Sequence, residues 1–190
     1  MFYEYDVLRD ASSNFSPQTP DEKKIFEAFS VLLEFIHLRS WAGACHASST
    51  VVFVLLREIG IEVSLCTGWT KCDKAVFGHS WVEYQDKPID AAVSLANVLS
   101  FPPVILGYAV APVDAPNVSY VYGYKHSAPE LESPMDRYAY LSLGEYMDAF
   151  PMHESGLWGV ACDLGKKLGL DLEADSLRGK YYQEQWVLKS

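Results

Sequence analysis

The clearest pattern in the chain is a set of apolar positions at helical spacing between residues 20 and 38. Ile25, Phe29 and Ile36 belong to this set and fall on one face of a helix. The segment Thr19–Glu22 predicts where the helix begins, because a threonine N-cap, a proline at the first helical position and a glutamate that completes a capping box are typical of a helix start. We therefore expect one face of this helix to be core.

A second helix is predicted from Cys45 or His46 to Ile59, since Gly60 is the residue type favoured just past a helix end. Its apolar residues lie on more than one side, so we expect this helix to be buried centrally. Strands are predicted where apolar and polar residues alternate: weakly at 3–9, then at 61–68, 76–84 and 88–93.

The pattern is sparser after residue 95. Tyr120, Tyr122 and Tyr124 predict a strand with tyrosines on one face, which either lines a peptide-binding groove or, more commonly, forms an ordinary sheet face. The remaining predictions are a loop residue at His126, a surface loop at 127–136, a short helix from the capping box Ser142–Glu145 to Phe150, and a last helix capped by Ser155 and ending at Leu168.

The charge balance excludes several classes of partner. The formal net charge is −10 and no long run of Lys or Arg occurs, which argues against nucleic acid and anionic membranes. The longest apolar stretch, Val51–Leu56, is far shorter than the ~20 residues that span a bilayer. Acidic residues stand where a secretory signal would carry cations. We expect a cytoplasmic protein with a single domain over 1–190.

Cys45 is the first candidate for chemistry. It follows Gly43 and Ala44 and stands at the predicted start of the second helix. The unpaired N–H groups and partial positive charge at a helix start favour a thiolate. The same residue would also fit as a small buried apolar side chain, the commoner role of a free cysteine. Position alone leaves both interpretations open.

A histidine and an aspartate follow on neighbouring predicted strands. His79 heads an alternating segment, and an imidazole on a facing strand suits the base that a helix-start thiol needs. Asp90 interrupts an apolar stretch, and a half-buried carboxylate needs a partner such as His79. Alternatively, His79 bonds backbone or water at a strand end, and Asp90 caps a turn.

The hairpin between these two residues provides a geometric test. With a two-residue turn at Gln85–Asp86, Trp81 faces Asp90, and His79 lies diagonally on the same sheet face, roughly 7–8 Å away between backbones. A three-residue loop would put Asp90 on the opposite face, because side chains alternate with period two. A cluster of these residues therefore requires an even-numbered loop or a compensating bulge.

The other cysteines do not favour a metal site or a disulfide framework. Cys45, Cys66, Cys72 and His79 could be soft metal ligands. The interval between Cys66 and Cys72 is longer than that of typical zinc ligands, however, and no second pair follows. Cys162 is expected in the core of the last predicted helix. Since no nucleotide-binding or metal-binding motif is present, we expect neither a metal nor a cofactor.

Four segments follow one another in a characteristic order: Gly43-Ala44-Cys45, Gly68-Trp69, Gly78-His79-Ser80-Trp81-Val82-Glu83 and Ile89-Asp90. Together they resemble the core of the transglutaminase-like superfamily, a group of papain-type cysteine enzymes. The resemblance covers residues 20–95. Its compact intervals are similar to those of bacterial members, including the leader-peptide-cleaving proteases of lasso-peptide maturation. His46 stands where the family carries an aromatic residue.

The resemblance implies an α+β fold of papain-like type, in which a central helix bearing Cys45 packs on an antiparallel sheet carrying His79 and Asp90. It implies that Cys45 is the nucleophile, that His79 is its base and later the general acid, and that Asp90 orients His79. The backbone N–H of Cys45 would donate to the oxyanion, and Trp41 and Ser40 are both candidates for the second donor.

The activity that the resemblance implies is acyl transfer through a thioester, by default hydrolysis of a peptide or amide bond, without a cofactor. An amine acceptor would give transglutaminase-type ligation instead. The chain could also be an acetyltransferase similar to the arylamine N-acetyltransferases, whose arginine-rich approach is missing here, or a non-catalytic binding module. Residues 96–190 are expected to complete the fold and cover the cleft. The expected partner is a peptide or protein substrate, and the oligomeric state stays open.

Overall fold

The computed structural model describes residues 3–125, 136–151 and 153–189. The helices in these ranges are α1 (Tyr5–Ser12), α2 (Pro20–Leu38), α3 (Cys45–Glu58), α4 (Leu143–Asp148), α5 (Gly156–Lys167) and α6 (Ala174–Tyr181). The strands are β1 (Ser64–Cys72), β2 (Ala75–Tyr84), β3 (Lys87–Ile89), β4 (Val104–Ile105), β5 (Tyr108–Ala109), β6 (Tyr120–Tyr122) and β7 (Val187–Lys189). Two 3₁₀ helices span Ala92–Leu95 and Asp136–Tyr140. The α+β architecture predicted from the sequence is confirmed.

Helix α2 begins where the sequence predicts. The Thr19 hydroxyl oxygen accepts the N–H of Glu22 at 3.1 Å, and Pro20 occupies the first helical position. The Glu22 carboxylate accepts the N–H of Gln18 at 2.6 Å, so the return bond of the capping box is displaced by one residue. The predicted apolar face is buried, as shown by Ile25, Ala28, Phe29, Leu32, Leu33 and Ile36.

Helix α3 is the centre of the molecule, as its apolar residues on several sides predict. Every residue from His46 to Leu56 is buried. The helix packs against strand β2 and also against α2 and α5. Because each fully buried Val, Leu or Phe contributes about 1.5–3 kcal/mol, this helix supplies a large share of the core. It ends before Gly60, which has a φ of +81°.

The main sheet has the order β3-β2-β1-β6. Strand β1 pairs antiparallel with β2 along its whole length, from Ser64 opposite Glu83 to Cys72 opposite Ala75. The other edge of β1 is shared, since β7 pairs there in parallel at 66–68 and β6 antiparallel at 70–72. The central strand is thus paired on both sides, and its second edge is built from residues far along the chain.

The β2–β3 hairpin has the two-residue turn that the clustering of His79 and Asp90 requires. Tyr84 lies opposite Lys87, which leaves Gln85 and Asp86 as the turn, with φ values of +49° and +61°. Positive φ at both central residues is the signature of a type I′ turn. Asp90 follows directly after β3 and forms a bridge with Val104 through backbone bonds of 2.7 and 2.8 Å.

Some predicted elements are wrong. The edge strand predicted at 3–9 is helix α1, because Leu8 and Ala11, three positions apart, are buried where α1 packs against α2. The first predicted strand begins at Ser64, and the third ends at Ile89 and gives way to the 3₁₀ helix.

The end of the described chain also differs from expectation. The helix predicted to be last is followed by α6 and β7, and the Ser155 side chain does not cap α5, whereas the capping box at Ser142 and Glu145 is present. The loop predicted at 127–136 lies outside the described residues except for its last position, and His126 lies outside them as well. No helix within the described ranges has both the length and the hydrophobicity to cross a membrane.

The hairpin turn generates a stability prediction. Asn and Gly occupy positive φ at lower cost than Gln and Asp, so Gln85→Asn combined with Asp86→Gly is expected to raise the free energy of unfolding by about 1 kcal/mol. Urea denaturation followed by circular dichroism measures the change. Gln183→Asn, at an exposed position without positive φ, serves as the control. A destabilised double variant would contradict the assigned turn.

Candidate active site

Three separate elements bring together the residues that the sequence singles out. Cys45 is the first residue of α3, His79 lies in β2, and Asp90 follows β3. Cys45 and His79 line a cleft of about 430 Å³. The other described residues lining this cleft are Gly43, Ala75, Val76, Phe77, Gly78, Ala92, Ala96, Asn97, Val98 and Leu99. The cleft therefore has an apolar wall with a thiol and an imidazole in it.

The His79 ring is held by Asp90. Nε2 of His79 donates to Oδ2 of Asp90 at 2.7 Å, and the two side chains are 4% and 1% exposed. Because Nε2 is engaged, Nδ1 is the ring nitrogen available to the thiol of Cys45. Burial lowers the pKa of His79, but the charge and hydrogen bond of Asp90, together with the neighbouring Cys45, outweigh it and raise the pKa to about 10.

The Asp90 carboxylate has two further donors. Oδ2 accepts the Tyr122 hydroxyl at 2.8 Å, and Oδ1 accepts the backbone N–H of Val93 at 3.2 Å. Burial and the charge of Asp90 raise the pKa of Tyr122 well above its ordinary value, so the phenol keeps the proton that it donates. Each carboxylate oxygen is therefore satisfied, as a buried charge requires.

Tyr122 is a site residue that the sequence did not single out for this contact. It belongs to the tyrosine stripe, in which the rings of Tyr120 and Tyr122 stack at 6.3 Å between centroids. The Tyr120 hydroxyl donates to the carbonyl of Pro102, and neither tyrosine lines the cleft that contains Cys45. The sheet-face interpretation of the stripe therefore holds for these two residues, while Tyr124 lies beyond β6.

His46, next to Cys45, is buried in an aromatic cluster contributed by the second half of the chain. Its ring stacks on Tyr138 at 3.8 Å and meets the edges of Tyr146 and Trp186. Its Nδ1 lies 2.5 Å from the hydroxyl oxygen of Ser80. Burial, together with the charges of His79 and Arg137, lowers the pKa of His46 to about 3. His46 is thus a neutral packing residue at the start of α3.

The two upstream candidates for an oxyanion donor lie away from the cleft. The Trp41 indole packs edge-on against Phe35 and Phe150, at 5.3 and 5.7 Å, and lines a different cavity of about 290 Å³. Ser40 is exposed and has a φ of +50°. Neither residue lines the cleft that holds Cys45.

The remaining cysteines are buried in the framework. Cys66 and Cys72 lie in β1, and Cys162 lies in α5. Burial raises the pKa of all three thiols, that of Cys66 to about 12. Within the part of the chain that the structure describes, no three His, Cys, Asp or Glu residues are grouped as metal ligands would be.

Residues 6–105 match a family model described as the transglutaminase-like superfamily. This match covers more than half of the chain, and the chain therefore belongs to that superfamily, which generally includes thiol-dependent cysteine hydrolases and acyltransferases. Searches of the curated proteins and of the solved structures returned no match.

The Asp90 contacts predict unequal effects of two matched substitutions. Tyr122→Phe removes a hydrogen bond to a buried carboxylate and is expected to lower the free energy of unfolding by about 2 kcal/mol, whereas Tyr120→Phe removes a bond to a neutral carbonyl and should cost about 1 kcal/mol. Urea denaturation of both variants checks this. A smaller effect for Tyr122→Phe than for Tyr120→Phe would contradict the role of Tyr122 as a partner of Asp90.

The raised pKa of His79 predicts a pH dependence of stability. The ordinary value is 6.5 and the folded value about 10, so the folded state holds the proton more tightly. This contribution is fully present below pH 6.5 and is lost as the pH rises through about 10. In urea titrations, the stability advantage of the wild type over His79→Gln should therefore shrink across this window. Parallel curves for the two proteins would contradict the assignment.

Proposed function

We propose that this protein is a cysteine hydrolase that cleaves a peptide or amide bond through a thioester on Cys45. His79 acts as the acid and base, and Asp90 orients His79. The observation that carries the proposal is the His79 ring, which is bonded through Nε2 to Asp90 and beside Cys45 in the wall of an apolar cleft. This is the nucleophile, base and orienting-group arrangement of covalent acyl transfer.

The acylation step follows from the protonation of His79. With a pKa of about 10, the ring is an imidazolium at neutral pH. A positively charged side chain next to a cysteine is typical of the surroundings of reactive cysteines. The Cys45 sulfur attacks the substrate carbonyl carbon and forms a tetrahedral oxyanion. When the C–N bond breaks, Nδ1 of His79 gives its proton to the leaving amine, and the acyl group remains on Cys45 as a thioester.

The deacylation step uses the same groups in reverse order. His79 is now neutral and takes a proton from a water molecule as the water oxygen attacks the thioester carbonyl. The C–S bond then breaks with its electron pair staying on the Cys45 sulfur, the carboxylic acid leaves, and the site returns to its starting state. Asp90 accepts the Nε2 hydrogen throughout, which keeps Nδ1 directed to the reacting atoms.

The composition of the cleft lining favours an uncharged segment of a peptide or protein as substrate. Its described lining contains no Asp, Glu, Lys or Arg, and Phe77, Val98 and Leu99 supply its larger apolar surfaces. Val98 is 89% exposed and Leu99 45%, so apolar surface at the rim is available to a bound chain. Burying such surface contributes roughly 25 cal/mol per Å².

The test is selective alkylation of the native protein. Treatment with iodoacetamide at about pH 6, followed by peptide mapping, should label Cys45 well ahead of the three buried cysteines, because only an activated thiol reacts readily there. His79→Ala is expected to slow labelling of Cys45 by about tenfold or more. His153→Ala replaces a histidine that does not line the cleft and serves as the control.

Slow and equal labelling of all four cysteines would contradict the proposal and would favour a non-catalytic binding module. A second measurement separates the two possible acceptors. An activated ester supplied with and without a primary amine yields free acid if water is the acceptor, and amide if the protein is a ligase. We expect free acid as the main product in both conditions.

A further inference from the structure

The proposed reaction needs two hydrogen-bond donors for the oxyanion, because a single donor leaves part of the developing charge unsupported. One is available at the start of α3. The residue before the helix, Ala44, makes no side-chain capping bond, and the first turn contains no acidic residue. No described residue accepts the N–H of Cys45, which leaves it open to an incoming anion. The second donor must then come from a side chain close to Cys45.

The Asn97 side chain lies against the turn just before Cys45. Gly43 has a φ of +68°, and a Cβ atom on Gly43 would fall 2.2 Å from Nδ2 of Asn97. The amide thus rests directly on the backbone two residues before Cys45. Asn97 lines the cleft together with Cys45 and His79. In contrast, the Trp41 indole is packed between Phe35 and Phe150 in another cavity.

The segment that carries Asn97 is fixed to both sides of the site. Asp90, the partner of His79, accepts the N–H of Val93, and the carbonyl of Leu95 accepts the N–H of Gly43 at 2.9 Å. The chain then reaches Asn97 two residues later. The contacts that hold the acid in position therefore also hold the amide against the turn that precedes Cys45.

We propose that the side-chain N–H of Asn97 is the second oxyanion donor. This inference rests on the proposed function. Asn97 is exposed at the rim of the cleft, and no residue in the described ranges forms a hydrogen bond with its amide, so its N–H groups are available to a ligand. As Cys45 attacks, the carbonyl π electrons move onto oxygen, and the N–H groups of Cys45 and Asn97 stabilise that charge until the leaving group departs.

The experiment measures acylation by p-nitrophenyl acetate under single-turnover conditions. In this reaction the C–S bond to Cys45 forms, the ester C–O bond breaks, and p-nitrophenolate leaves with the electron pair. Removing an oxyanion donor typically costs at least about a hundredfold in rate. We expect this loss for Asn97→Ala, and an equal or larger loss for Asn97→Asp, which fills the same space but repels an anion. Asn117→Ala, at an exposed position outside the cleft, should acylate at the wild-type rate.

A second readout separates donation from a structural role. Alkylation of Cys45 by iodoacetamide proceeds without an oxyanion, so Asn97→Ala should alkylate within about twofold of the wild type while its acylation falls. A parallel loss of both rates would overturn the proposal and show that Asn97 only maintains the site. A faster acylation by Asn97→Asp than by Asn97→Ala would also overturn it.

The remaining outcomes distinguish the two proposals. If the wild type is not acylated at Cys45, the proposed function fails and the inference fails with it. If the wild type is acylated at Cys45 and Asn97→Ala is equally fast, only the inference fails. Tyr146 is the rival donor, because it packs on the ring of His46, the residue next to Cys45. Slow acylation by Tyr146→Phe, with normal acylation by Asn97→Ala, would transfer the role to Tyr146.

Discussion

The buried carboxylate of Asp90 is the constraint on which the site depends. A charge that is almost fully removed from water costs several kcal/mol unless donors surround it, and here a ring nitrogen, a phenol and a backbone N–H converge on its two oxygens. These donors come from three separate parts of the chain. Satisfying one carboxylate therefore fixes strand β2, strand β6 and the 3₁₀ helix relative to one another, and the orientation of His79 follows.

The second half of the chain packs against the start of α3. Tyr138, Tyr146 and Trp186 enclose His46, so the residue next to Cys45 is held by aromatic packing rather than by a loop. The family segment thus ends at residue 105, while the packing that holds its helix start extends to residue 186. Within the described residues, those that line the cleft all lie between Gly43 and Leu99.

Sequence patterns predicted what short-range physics determines. The Thr19-Pro20 start signal located α2. For the sheet face of Asp90 the sequence left two turn lengths open, and the two-residue turn Gln85–Asp86 decides between them. Features that depend on residues far apart in the chain could not be predicted from these patterns. In α6 only Leu177 and Tyr181 are buried, too few to form a recognisable pattern, and Tyr122 contacts Asp90 only because β6 pairs with β1. Asn97 is a single polar residue in a loop, and nothing in its neighbours indicates that it lies on Gly43.

The pairing of β7 with β1 has a consequence for biosynthesis. Residues 66–68 obtain their parallel neighbour only after about 120 further amino acids have been added, and His46 obtains Trp186 only after about 140. While the ribosome is still translating the intervening segment, the edge of β1 at residues 66–68 is unpaired, and the start of α3 lacks its contact with Trp186. A nascent chain therefore lacks these two contacts, one at the edge of β1 and one beside Cys45, until strand β7 and the residue before it have been synthesised.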